Sequence, residues 1–483
     1  MDPLWILIAG MLVVVGGILT LRLHPFLALL LAAILVALIT PDTHLESYAK
    51  EKRMSPEASA EFLKQSSGER IAKAFGTTCG KVGILIALAS IIGRCLLESG
   101  AAERIVRSAL RVTGESRAPA AFATSGFVLG TPVFFDTVFY LMIPLGKALA
   151  CRTQRNYGLY VMSIIAGATM AHSLVPPTPG PLFVASQLQV DLGAMILGGL
   201  AVGLVTVTAG SFYAHWINRR WPVPLRHAED PAKGPGLVAT MVAKKDAELP
   251  GLFLSLLPIV LPVVLIASGT VLKTVPGGDA VADLPSAWIM LGDVFRALGN
   301  PNLALALSAV LALGITHRVC GSHRKALSNL VGGSLSSAGI IILITSAGGA
   351  FGGVLQQTGI ALRIQDLAET YHVAILPLAF LVTTLVRTAQ GSATVAMITA
   401  VGMLGGMAEN LAFHPVYLAL AIGCGSKPFP WMNDSGFWVI NQLSGLTLPE
   451  TFRSFSGLLT LMGLTGLVVV MLAAWLLPWV SPS

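Results

Sequence analysis

Gly93-Arg-Cys-Leu-Leu-Glu-Ser-Gly100-Ala-Ala-Glu-Arg104-Ile105 aligns without a gap on Gly352-Gly-Val-Leu-Gln-Gln-Thr-Gly359-Ile-Ala-Leu-Arg363-Ile364, 259 residues later. At the same offset Thr131-Pro-Val-Phe-Phe-Asp136 falls on Gln390-Gly-Ser-Ala-Thr-Val395. The proline-rich break from His172 to Gly180 falls on Trp431 to Val439. Two apolar halves interrupted at matching places are the pattern of a secondary transporter built from repeats.

Composition agrees with that reading. Of 483 residues, 54% are hydrophobic and 11% charged, the balance of a polytopic membrane protein. Residues 3–21, 192–216 and 457–477 are nearly uncharged runs, and about 20 apolar residues cross about 30 Å of hydrocarbon. The net charge of +7 does not point to nucleic acid, because Lys and Arg collect in loops between spans. With both termini outside, the clusters at 104–117, 147–155, 219–245 and 318–325 are cytoplasmic, as the positive-inside rule requires. Met1-Asp2-Pro3 lacks the positive start of a cleaved signal peptide, so the first span reads as retained. The five cysteines have no paired spacing and read as free thiols.

The expected fold is all-α and polytopic, with two inverted-topology repeats of about five transmembrane helices each. Residues 1–216 form the first repeat, with a re-entrant hairpin at 118–150 and a broken helix at 157–190. Residues 217–250 are a cytoplasmic linker. Residues 251–483 form the second repeat, with a hairpin at 373–408 and a broken helix at 413–445. The hairpin arms read as about 13 residues, or about 20 Å, too short to cross. An odd number of crossings per half turns the second half over, so the hairpins enter from opposite faces. Segments 101–111 and 360–371 read as short interfacial helices.

Irregular polar backbone at membrane depth is tolerated only inside protein or along a wet cavity, so the chemistry belongs to the two tips and two breaks. The first tip supplies Thr131, Phe134 and Asp136; the second supplies Gln390, Gly391, Ser392 and Thr394. The first break supplies His172, Ser173 and Thr178; the second supplies Ser426, Asn433, Asp434 and Ser435. Half-helix N-termini suit an anion, and many hydroxyls with few fixed charges suit a hydroxylated organic acid.

Asp136, His172 and Asp434 are the proton-coupling candidates, since an ionisable group at this depth is costly. Each has a structural alternative as a helix cap. Arg387 is a candidate anion anchor, or a partner for a carboxylate inside the fold. Lys427 is either a second anchor or a lysine snorkelling to the cytoplasmic interface. Arg94 and Glu98, at i and i+4, read as a local ion pair. Nothing resembles a catalytic nucleophile with its base, a metal motif or a cofactor motif, so an enzyme is not expected. The partners expected are a small organic anion and the lipid bilayer, with a homodimer compatible with the chain.

The stretches Pro132-Val-Phe-Phe-Asp136, Val175-Pro-Pro-Thr-Pro-Gly-Pro181, Arg387-Thr-Ala-Gln-Gly-Ser-Ala-Thr-Val-Ala396 and Asn433-Asp-Ser-Gly-Phe-Trp438 resemble the gluconate permease (GntP) family of the ion-transporter superfamily. The resemblance implies proton-coupled symport of gluconate-like sugar acids, or of related hydroxy or amino monocarboxylates, by alternating access in a bacterial inner membrane. A sodium-coupled carboxylate carrier or a sodium/proton antiporter on a related scaffold is the alternative. Thr131, Thr178 and Lys427 depart from the residues expected at those places in the family.

Overall fold

The computed structural model describes residues 2–153, 156–226, 248–274, 297–321, 324–360, 375–405, 411, 413–432 and 434–478. The described residues are helical and contain no strand. Helices α1 (Pro3–Leu19), α2 (Pro25–Ile39), α3 (Asp42–Glu51), α4 (Pro56–Lys64) and α5 (Ser67–Glu98) come first, followed by α6 (Ala101–Thr113). Next are α7 (Ala118–Gly130), α8 (Phe135–Thr153), α9 (Tyr157–Leu174), α10 (Pro179–Gln187) and α11 (Leu192–Arg220). The later part holds α12 (Leu252–Thr274), α13 (Pro301–Cys320), α14 (Arg324–Gln356), α15 (Ile375–Gln390), α16 (Ala393–Leu404), α17 (Val416–Gly425) and α18 (Ser435–Ser444). A short α19 (Leu448–Thr451) passes through a π-turn at 452–457 into α20 (Leu458–Leu476).

Six described helical stretches are long and apolar enough to cross a membrane: Ser67–Glu98, Tyr157–Gln187, Leu192–Arg220, Pro301–Cys320, Lys325–Gln356 and Leu448–Leu476. A bent pair, Pro25–Ile39 with Asp42–Lys50 at 95°, makes a seventh if counted as one span. The chain is therefore an all-helical, multi-pass membrane protein. From α5 onward, α5, α7, α8, α9, α10 and α11 have counterparts starting within three residues of the position the 259-residue offset gives. Before α5 the spacing differs: α3 and α4 lie between α2 and α5, and the starts of α12 and α13 are farther apart than those of α1 and α2.

The expected loop at 41–75 is helical instead. Pro56 at N1, the Ser55 side chain accepting from Ala58 N, and a capping box between Ser66 and Glu69 nucleate α4 and α5. Consequently α5 begins well before the expected span at residue 80. The returning arm α8 is also longer than expected, 19 residues with Pro144 inside it. Segment 360–371 lies outside the described residues except for Ile360, and 101–111 is helical, as part of α6. It is amphipathic, with Ala101, Ala102, Ile105 and Val106 buried and Arg107 paired to Glu103 at 2.5 Å.

The two broken spans form the centre. Every residue of α9 and every residue of α17 is buried, as expected of helices apolar all round and enclosed by protein. Prolines 176, 177, 179 and 181 stop the α9 ladder and restart the chain as α10, with Pro179 at N1. The long helices α5 and α14 pack along each other; α2 lies on α14 and α13 lies on α5. Across the centre, α10 packs on α16 and α18 packs on α8. Each broken segment thus touches the arm following the other half's tip.

Close approach depends on small residues. A Cβ on Gly130 would lie 2.6 Å from the Ala168 carbonyl oxygen. One on Gly167 would strike the Ala123 carbonyl oxygen and lie 2.8 Å from Phe127 N. Both clashes are with backbone, so overpacking of about 1–3 kcal/mol outweighs the gain of up to about 1 kcal/mol in helix propensity. Gly167→Ala is therefore expected to lower the melting temperature of detergent-purified protein; a melting temperature at or above the parent's would contradict this packing.

Candidate functional site

A cavity of about 240 Å³ lies where the two tips meet the two breaks. The tip before α8 brings Phe134 and Asp136 to it; the tip between α15 and α16 brings Arg387, Gly391, Ser392 and Thr394. The first broken span adds Thr169 and His172, and the second adds Lys427 and Asp434. Gly391 takes φ +77°, the left-handed backbone that reverses the chain between α15 and α16 without a Cβ penalty. Ser392 then caps α16, its Oγ accepting from Val395 N at 3.4 Å. Asp434 caps α18, with Oδ1 accepting from Gly436 N at 2.7 Å.

The second carboxylate oxygen of Asp434 is paired with Arg387 Nη2, and both residues are buried. Asp434 therefore acts as helix cap and ion-pair partner at once, and Arg387 neutralises a carboxylate inside the fold. The pair also ties α15 to the start of α18. Asp136 is half-buried in the first turn of α8. A Cβ on Gly436 would sit 3.2 Å from Asp434 Oδ1, 3.3 Å from Phe135 Cε1 and 3.5 Å from Asp136 Oδ1, so both carboxylates border this glycine. Among the described residues Asp136 has no hydrogen bond or ion pair.

Lys427 does not snorkel. It is 2% exposed, and its Nζ donates to the Thr169 carbonyl oxygen at 2.7 Å. The lysine follows the last turn of α17, which is walled in by α9, α15 and α20, so the side chain has no route to an interface. Among the described residues it has no ion pair, leaving donor capacity free. His172 is buried, with its ring edge-on to Phe134 at 5.7 Å, and its Nδ1 has no partner among the described residues.

Other expected site residues stand behind the wall. Thr131 bonds back to the Phe127 carbonyl at 3.2 Å, Thr178 to Val175 at 2.7 Å and Ser426 to Gly423 at 2.7 Å. Ser173 is fully buried where the broken spans cross: a Cβ on Gly423 would lie 2.8 Å from its carbonyl oxygen. Ser435 starts α18; its side chain, that of Gln390, and all of Asn433 lie outside the described residues. Elsewhere, the expected Arg94–Glu98 pair forms at 2.8 Å, and none of the five cysteines is in a disulfide.

Sequence reasoning missed Thr169, Phe135, Ile341, Ile344, Phe455 and Leu459 as lining residues. Thr169 lies three residues before His172 and shares its helix face, a usable signal. Phe455 comes from the π-turn and stacks on Phe135 at 6.1 Å, a contact with no local signature.

The arrangement holds one neutralised pair, Arg387 with Asp434, plus one cation and one carboxylate, Lys427 and Asp136, each without an ion-pair partner among the described residues. Hydroxyl and backbone groups of the second tip lie beside these two charges.

The whole chain is similar to known permeases. It is 30% identical over 475 residues to the inner membrane permease YgbN of Escherichia coli K12, covering 96% of this chain and 97% of the relative. It is 30% identical over 487 residues to a gluconate permease of Pseudomonas aeruginosa, covering 98% of each. In fold it is similar to MtrF of Neisseria gonorrhoeae, with a TM-score of 0.62 at 14% identity over 97% of this chain and 98% of that one. Residues 63–476 match the model of the GntP family permeases, so the chain belongs to that family of transporters.

Proposed function

We propose that this permease carries gluconate-like sugar acids, or related small hydroxy or amino monocarboxylates, into the cell together with a proton, by alternating access across a bacterial inner membrane. The observation that carries the reading is the charge inventory of the central cavity. Arg387 and Asp434 cancel. If Asp136 takes up a proton, Lys427 is left as a net single positive charge facing a cavity with hydroxyl donors. That environment matches a monoanion and leaves no uncompensated charge at membrane depth, where each costs about 2.5–3.5 kcal/mol. Empty and deprotonated, Asp136 balances Lys427 instead. Proton and anion thus arrive and leave together.

In this reading Lys427 grips the carboxylate, Ser392, Thr394 and the Gly391 backbone meet substrate hydroxyls, and His172 orders the wall through Phe134. The similarity to a gluconate permease supports the substrate class. Residues 1–216 and 251–483 act as inverted repeats around the site, joined by a cytoplasmic linker at 217–250, with both termini periplasmic. The crosswise packing of α10 on α16 and of α18 on α8 supports that symmetry.

Proteoliposomes test the proposal directly. With an inward pH gradient and no sodium, labelled gluconate should accumulate. Asp136→Asn should abolish accumulation yet retain gluconate exchange, because exchange needs no net proton movement. Accumulation driven by sodium alone, or unchanged gradient-driven accumulation by the variant, would overturn proton coupling through Asp136.

A further inference from the structure

Two further clefts flank the α5–α14 pair, and six of their lining positions coincide at the 259-residue offset. One, of about 330 Å³, is lined by Arg70, Lys73, Thr78, Lys81 and, from α14, Gly349 and Gly353. The other, of about 230 Å³, is lined by Asn329, Ser337, Ser90 and Arg94. At the 259-residue offset Arg70 falls on Asn329, Thr78 on Ser337, Gly349 on Ser90 and Gly353 on Arg94. The shapes repeat but the charges do not. Lys73 falls on Gly332 and Lys81 on Ile340, while Arg94 in the second cleft is cancelled by Glu98 at 2.8 Å.

The first cleft therefore carries three cations, and no carboxylate is among its described lining residues. Arg70 is built in. It is 5% exposed, anchored to the Gln357 side chain at 3.0 Å and the Ala37 carbonyl at 3.2 Å, and its Nε has no partner among the described residues. Lys73 also borders Glu61 and Glu69 on its outer flank; Lys81 lies two turns deeper. About one and a half turns of α14 separate Gly349, in this cleft, from Ile344, in the central cavity.

We propose that the Arg70–Lys73–Lys81 cleft is a second anion site, an outer vestibule that captures small carboxylates before they reach the central cavity, with a neutral counterpart on the inner side. The proposal rests on the transport reading above and adds a site and a direction to it. A cleft lined by one sign of charge raises the local concentration and arrival rate of an opposite ion by about 10–1000-fold, an effect that salt removes. Because only one of the paired clefts is charged, the benefit applies to influx alone.

The test is the double variant K73Q/K81Q, which changes two exposed side chains and spares the buried Arg70. With labelled gluconate at low ionic strength, the KM for influx should rise about tenfold or more, the low end of electrostatic steering, with Vmax unchanged and the difference lost in high salt. The KM for efflux should not move. An unchanged influx KM, or an equal rise in both directions, would overturn the vestibule. A second readout does not require gluconate to be a substrate. In a background without native cysteines, Thr77→Cys should react about tenfold faster with an anionic than with a cationic thiosulfonate, and K73Q/K81Q should remove the preference. A ratio near one in the Thr77→Cys parent would refute the site. A high ratio without gluconate uptake would uphold it and fault only the substrate reading.

Discussion

Arg387→Met should destabilise this transporter more than any other single replacement in the cavity. The guanidinium and the Asp434 carboxylate are each 4% exposed and face each other across α15 and α18. Removing one partner strands the other charge in the protein interior, which costs about 3–5 kcal/mol. Asp434 would keep only its cap on Gly436 N, at 2.7 Å. Thermal melts of detergent-purified protein should show the loss directly. The double variant Arg387→Met/Asp434→Asn removes both charges and should recover most of the lost stability, since a buried pair replaced together is often neutral. Uptake should remain absent in the double variant, because the link between the second tip and the second break is gone. A single variant as stable as the parent would show that the pair does not hold these elements together.

The second large effect concerns Lys427. If its ammonium grips the substrate carboxylate, Lys427→Met removes a charge-assisted hydrogen bond worth about 1.5–3 kcal/mol, so the gluconate Kd should rise about 10- to 150-fold. Stability should change little, because Asp136, which Lys427 balances in the empty protein, can take up a proton once the lysine is gone. The opposite pattern, unchanged affinity with a lowered melting temperature, would mean that the bond to the Thr169 carbonyl at 2.7 Å is the lysine's whole role. Calorimetric titration with gluconate, beside a thermal melt of the same samples, separates the two.

Much of this was readable along the chain. Short-range rules act on neighbours: proline cannot donate, so Pro176 to Pro181 had to break a helix; Gly391 had to carry the turn before α16; apolar runs had to span. The same rules applied at the 259-residue offset located the correspondence between α5 and α14. They failed where the signal was polar yet helical, as in α3, α4 and the first turns of α5, whose caps at Ser55 and Ser66 were present but went unweighed. They left Lys427 open between an anchor and a snorkelling lysine, because a lysine near a helix end ordinarily reaches water, and only the enclosure of α17 by other helices denies it that route.

Composition, hydropathy and the internal correspondence determined by themselves that this is a helical, multi-pass membrane protein with two polar tips and two broken spans, since each rests on a few consecutive residues or a fixed spacing. Only the tertiary structure decided that Arg387 spends its charge on Asp434, that Lys427 lies against Thr169, and that Phe455 joins the wall. Lys427 and Thr169 lie 258 residues apart, and the energy of a buried charge depends on which distant neighbour neutralises it, a quantity no local stretch of chain contains.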